Sequence, residues 1–142
     1  MNPLRNLSPV LVVNRGEIAA RIARTCQRLG LEVFGVYTDA DSAMPHPDAM
    51  DRSLRIDDYL NADELIAAAR TLGARSVHPG FGFLAENADF ASLVTEAGLV
   101  WIGPGPEAIE VMGSKRGARQ RVASQNVPVV PGYDGDEQSE SR

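Results

Sequence analysis

A chain of 142 residues, 44% apolar and 23% charged, is long enough for one domain with a proper core and too short for two ordinary ones. Its formal charge of −5 removes the electrostatic reason to expect a nucleic acid or an anionic membrane as partner. The single Cys26 excludes an internal disulfide, no apolar run approaches bilayer-spanning length, and Asn14 and Arg15 interrupt the first apolar stretch too early for a signal peptide, so an intracellular, cytoplasmic location is expected.

The apolar run "VLVV" at 10–13 is followed by a helical pattern over 15–29. In that helix Ile18, Ile22, Cys26 and Leu29 predict a core-facing stripe, and Arg21, Arg24 and Arg28 a separate basic one, with Gly30 as the stop. On this stripe Cys26 reads as a packing residue. A second strand, "VFGVY" at 33–37, leads into a polar, proline-containing segment, 38–60, in which "SLRI" at 53–56 predicts a short extra strand.

Asn61 with Glu64 resembles a capping box for a helix over 61–72, whose Leu65, Ala69 and Leu72 form the buried stripe up to Gly73. The strand "RSVH" at 75–78 feeds the loop "HPGFGFLAEN" at 78–87, and Asn87 then caps a helix with Phe90, Leu93, Val94 and Ala97 inward and Gly98 as its end. A last strand, "LVWI" at 99–102, precedes "GPGPEA" at 103–108 and further helix. After Val130 the residues "PGYDGDEQSESR" cannot build a core and read as a linker.

Continuous apolar strands alternating with helices imply a mainly parallel sheet covered on both faces: a Rossmann-like, three-layer α/β domain over 1–125, with 126–142 as linker. In such sheets ligands bind outside the carboxyl ends of the strands, and three loops reach that edge, "NRGEIA" at 14–19, "HPGFGFLAEN" and "GPGPEA". Gly80 to Ala85 match the loose G-x-G-x-x-A dinucleotide fingerprint, but at the third strand of the β-α rhythm, with aromatic residues where a pyrophosphate would approach and Val100 in place of an acid about 20 residues on. "NRGE" offers one glycine only, although Asp39 does follow the second strand, so a nicotinamide dehydrogenase is disfavoured. His78 lacks Cys or His neighbours at metal spacing and reads first as a structural histidine bonded to the loop backbone. Phe81 and Phe83 read by default as packing, Arg15 and Glu17 as solvated cap residues. On the residues alone, Gly113-Ser114-Lys115 is a helix start with a solvated lysine.

Taken together, "VNRGEIAARIARTCQRLG", "VYTDADS", "HPGFGFLAENADFA", "WIGPGPEAIEVMGSK" and "VPVVPGYDG" resemble, in that order and over nearly the whole chain, the N-terminal domain of biotin carboxylase, the component of acetyl-, propionyl- and related acyl-CoA carboxylases and of pyruvate carboxylase. The resemblance implies an ATP-dependent ligase in which ATP activates bicarbonate as carboxyphosphate and the carboxyl group passes to the ureido nitrogen of biotin, serving fatty acid metabolism among other routes. It implies ATP, biotin on a carrier domain, and Mg2+ held by an ATP-grasp region that would follow this domain. The implied partners are the biotin carboxyl carrier domain, a carboxyltransferase and a second copy of the enzyme. The glycine-rich ATP-grasp loop and the catalytic acids of the family lie beyond this stretch, so no catalytic residue or metal ligand is expected here and the chain by itself is expected to be inactive. A non-catalytic dimerisation or assembly module is the alternative.

Residue by residue, the resemblance implies that Lys115 contacts an ATP phosphate, that Gly80, Phe81, Gly82 and Phe83 form the loop facing biotin's bicyclic ring, and that Arg21 and Arg24 make dimer contacts. Phe81 stands where the family usually has tyrosine, Ala85 where it has serine and Ser114 where it has aspartate. The 44–60 segment also departs from the family pattern.

Overall fold

A computed structural model describes residues 3–130, so the expected linker lies, from 131 onward, outside the described residues. Five strands, β1 (Val10–Val12), β2 (Val33–Tyr37), β3 (Arg52–Arg55), β4 (Ser76–His78) and β5 (Val100–Trp101), form one all-parallel sheet in the order β3-β2-β1-β4-β5. The helices are α1 (Gly16–Arg28), the one-turn α2 (Pro45–Asp48), α3 (Ala62–Leu72), α4 (Ala88–Glu96), α5 (Pro106–Gly113) and α6 (Lys115–Ala123), with short 3-10 turns at Pro3–Leu7, Asp39–Asp41 and Phe83–Glu86. Among the described residues, no helix is long and apolar enough to cross a membrane.

Successive strand residues point to opposite faces, and here both faces are covered. Val10, Val12 and Val33 meet Ala19, Ala23 and Cys26 of α1, together with Leu31 and Met50. Leu11, Val13, Phe34, Val36 and Val77 meet Leu65, Ala69 and Leu72 of α3 and Phe90 and Val94 of α4. Phe90 packs edge-on to Trp101 with ring centres 5.6 Å apart. This is the three-layer Rossmann-like arrangement that the run pattern predicts, and β3 is the extra strand expected around "SLRI".

The core stripe of α1 differs from the expected one. Ala19, Ala20, Ala23 and Cys26 are buried, whereas Ile18 and Ile22 are half-buried and Leu29 is 45% exposed. Small side chains let the helix lie close over β1 and β2, and the larger ones are pushed to its flanks. In α4, Leu93 is likewise exposed where an inward position was expected. Asn61 does cap α3, accepting the Glu64 N–H at 3.2 Å, but the Glu64 carboxylate does not close a capping box; it accepts the N–H groups of Asp57 and Asp58 instead, at 2.7 and 3.1 Å. Asn87 caps α4 by accepting the Phe90 N–H at 2.8 Å.

The strand order positions the site. From β1 the chain winds outward through β2 to β3, then returns by α3 to β4 on the other side of β1. The loops leaving β1 and β4 therefore diverge from adjacent strands, and the crevice between them is the place where open α/β sheets bind ligands.

Candidate functional site

Asn14, just past β1, is 2% exposed. Its Nδ2 donates to Pro79 O and to Phe81 O, each at 2.8 Å, and its Oδ1 accepts the Arg15 N–H at 2.9 Å. His78 holds the same loop from the end of β4, its Nδ1 accepting the Gly80 N–H at 3.0 Å. That bond puts the proton of the neutral ring on Nε2. Burial lowers the His78 pKa and keeps the ring neutral. The histidine is thus structural, as its isolation from other metal-binding residues implies.

Held at three of its backbone groups, the loop turns through Gly80 at φ +69° and Gly82 at φ +68°, ψ −160°. The second conformation is open essentially to glycine alone. Phe83 follows at φ +48°, rare for a bulky residue. Its ring lies 5.1 Å from that of Tyr59 and 5.8 Å from the Arg15 guanidinium, while Phe81 projects outward, 74% exposed. Of the two phenylalanines, one packs and one presents a surface.

Arg15 is not simply a solvated cap residue. Its Nη1 lies 3.2 Å from Oδ1 of Asp41, a carboxylate buried in the turn after β2. Burial pushes the Asp41 carboxyl up, but hydrogen bonds from Thr38 and Tyr59 and the charge of Arg15 outweigh it and hold the group below its usual range. The same neighbourhood raises the Tyr59 hydroxyl, first by burial and then by its bond to Asp41. That hydroxyl donates to Val36 O at 3.4 Å.

Between these loops lies an open crevice of about 500 Å³, lined by Asn14 to Ile18, Asp41, Met44 and Phe81 to Phe83. It offers a fixed backbone, an exposed aromatic face and one guanidinium. That suits a flat, largely apolar ligand with a polar edge. Asp41 is already paired and the His78 ring lines a groove with α1 on the other face of the sheet, which leaves the exposed Glu17 as the remaining carboxylate of the lining. Asp39 is engaged by Arg55, with contacts of 2.7 and 3.1 Å, rather than poised for a ribose.

The other expected site residues lie apart from the crevice. Lys115 opens α6, exposed, behind Ser114, whose Oγ caps the helix by accepting the Gly117 N–H at 3.1 Å. Arg21 and Arg24 are exposed on α1 and line a shallow depression with Thr25, Gln27 and Arg28. Sequence reasoning missed Asn14, Arg15, Asp41 and Tyr59 as a group, because their contacts join four separate loops. The one available signal was that "NRGE" follows the first strand at the carboxyl edge.

Residues 6–109 match the family described as biotin carboxylase, N-terminal domain. The chain belongs to that family. Among its relatives, the mitochondrial methylcrotonoyl-CoA carboxylase subunit alpha of Oryza sativa subsp. japonica is 47% identical over 135 residues, covering 91% of this chain and 18% of that protein. Biotin carboxylase 1 of Bacillus subtilis is 42% identical over 135 residues, covering 91% of this chain and 30% of that one. Among solved structures, the biotin carboxylase domain dimer of the Hydrogenobacter thermophilus 2-oxoglutarate carboxylase, in complex with MgADP, ADP and bicarbonate, superposes with a TM-score of 0.84 at 43% identity, covering 89% of this chain and 29% of that one. The chain thus spans less than a third of the length of these biotin carboxylase relatives.

Proposed function

We propose that this domain supplies one wall of the site at which a longer biotin carboxylase carboxylates biotin with ATP and bicarbonate. The observation that carries the reading is the crevice at the β1/β4 switch point, where a glycine loop held by Asn14 and His78 presents Phe81 beside an open backbone. A bicyclic ring can lie flat on such a surface, excluding water from one face and orienting its ureido edge. Acid–base chemistry at the ureido nitrogen and activation of bicarbonate fall to residues outside this domain. In this reading Mg2+ accompanies the nucleotide and is held by the ATP-grasp region of the longer enzyme, through one or two carboxylates and the phosphates.

Lys115, exposed at the start of α6, is the residue we assign to an ATP phosphate, and the arginines of α1 to the contact with a second copy of the enzyme. A carrier domain bearing biotin and a carboxyltransferase would complete the system. The test is bicarbonate-dependent ATP cleavage stimulated by free biotin, measured for the complete protein and for the 142-residue chain. Activity is expected from the first and none from the second; turnover by the chain alone would refute this division of labour.

A further inference from the structure

We propose that Asp41 is a positioning residue for the biotin-facing loop, acting through Arg15 and Phe83; the inference rests on the functional reading above. Asp41 is 3% exposed and its two oxygens are used in different directions. Oδ1 lies 3.2 Å from Arg15 Nη1, and Oδ2 accepts the Thr38 hydroxyl at 2.9 Å. The Arg15 guanidinium then lies over Phe83 and the Tyr59 ring packs against the same phenylalanine, while the Tyr59 hydroxyl donates to Val36 O at 3.4 Å. The contacts form a chain, from Asp41 to Arg15 to Phe83 to Tyr59. It ties the turns after β1, β2, β3 and β4 together at one point.

Phe83 has an unusual need for such a clamp. A bulky residue at φ +48° persists only where its surroundings over-determine it. A cation on one contact and an aromatic ring on the other hold the phenyl group, and with it the backbone that follows Gly82. Asn14 sets the first half of the loop through backbone bonds; the contacts from Asp41 set the second half through the side chain of Phe83. The 38–50 segment, which reaches the crevice through Asp41 and Met44, thereby controls its shape. Arg15 is 54% exposed along its side chain, so this pair contributes through geometry rather than as a buried charge pair.

In the complete enzyme, Asp41→Asn keeps the shape and the Thr38 bond but removes the charge that holds Arg15, and Arg15→Gln removes the cation over Phe83. Each should raise the KM for free biotin by roughly three- to tenfold while leaving the KM for ATP within about twofold. Because both act through one contact, the double variant should be no worse than the weaker-binding single one. Equal loss on both substrates, unchanged biotin kinetics, or effects of the two changes that multiply would each overturn the proposal. Should Asp41→Asn fail to fold, Arg15→Lys tests the same point from the exposed partner: it keeps a charge but loses the flat stack, and the same selective rise in biotin KM is required. A wild-type enzyme without biotin-dependent turnover would instead refute the functional reading, a result distinct from all of these.

Discussion

A Cβ placed on Gly80 would lie 2.6 Å from Asn14 Nδ2, with Cγ and Cβ of the same side chain at 2.8 and 2.9 Å. The two residues are a matched pair: the asparagine bridges Pro79 O and Phe81 O only because nothing stands on the α-carbon between them. Gly80→Ala should therefore destabilise the chain by roughly 2–4 kcal/mol, combining a steric clash with an alanine forced to φ +69°. Asn14→Ala should reduce that penalty to the backbone contribution alone. Urea melts of the two single variants and the double variant check this, and an identical Gly80→Ala penalty in both backgrounds would show that the clash is not what matters.

Acid should weaken the fold from near neutrality. Among the described residues, none meets hydrogen-bond geometry with either ring nitrogen of His46, which is fully buried in α2. Burial lowers its pKa below 6.5 despite the opposing pull of the Val36 backbone and of Asp41, and burial lowers His78 as well. In the unfolded chain both rings bind a proton near 6.5, so between that value and the lower folded pKa the unfolded state holds more protons. Stability is thus complete above 6.5 and falls with pH, by at most about 1.4 kcal/mol per pH unit for each histidine. Asp39 and Asp41, both lowered from 3.8, add their losses only below that range. His46→Leu should flatten the stability profile between pH 6.5 and 5 with little loss at pH 8. A profile as steep as wild type would remove His46 as the cause.

The buried stripe of α3 and the caps at Asn61 and Asn87 are legible because each is decided within one turn of helix. The α1 stripe was not, since Ile18 and Ile22 outrank Ala19 and Ala23 on hydrophobicity while the distance between helix and sheet favours alanine. At the site, Gly82 and the structural role of His78 follow from local chemistry. Asn14's reach across 65 positions to Pro79, and Arg15's across 26 to Asp41, depend on which strands become neighbours, and no local pattern encodes that.

Lys115→Ala in the complete enzyme should weaken ATP use. A charge-assisted phosphate contact is worth about 1.5–3 kcal/mol, which corresponds to roughly ten- to hundredfold in the ATP kinetics. It is exposed at the first turn of α6, so the melting temperature should stay put. Unaltered ATP kinetics would return the residue to the solvated class.

The exposed arginines of α1 give a separate expectation. If Arg21 and Arg24 meet a second subunit, Arg24→Glu places an unmatched charge in that contact and should shift the complete enzyme toward monomer in sedimentation. An unchanged dimer would assign the depression they line to another role.

The biotin-facing role proposed for the loop is tested at Gly82. Nothing lies within 4 Å of a Cβ built there, so the cost of a side chain is the backbone itself, since φ +68° with ψ −160° is strained for valine, and the side chain stands at the crevice. Phe81→Tyr, adding one hydroxyl at an exposed ring, serves as the tolerated control. The decisive measurement is a free-biotin titration of the Gly82→Val enzyme beside its melting curve. Biotin carboxylation lost or driven to far higher biotin concentrations, in protein that still melts cooperatively though at a lowered temperature, is the predicted result; an unaltered biotin KM in the folded enzyme would contradict it.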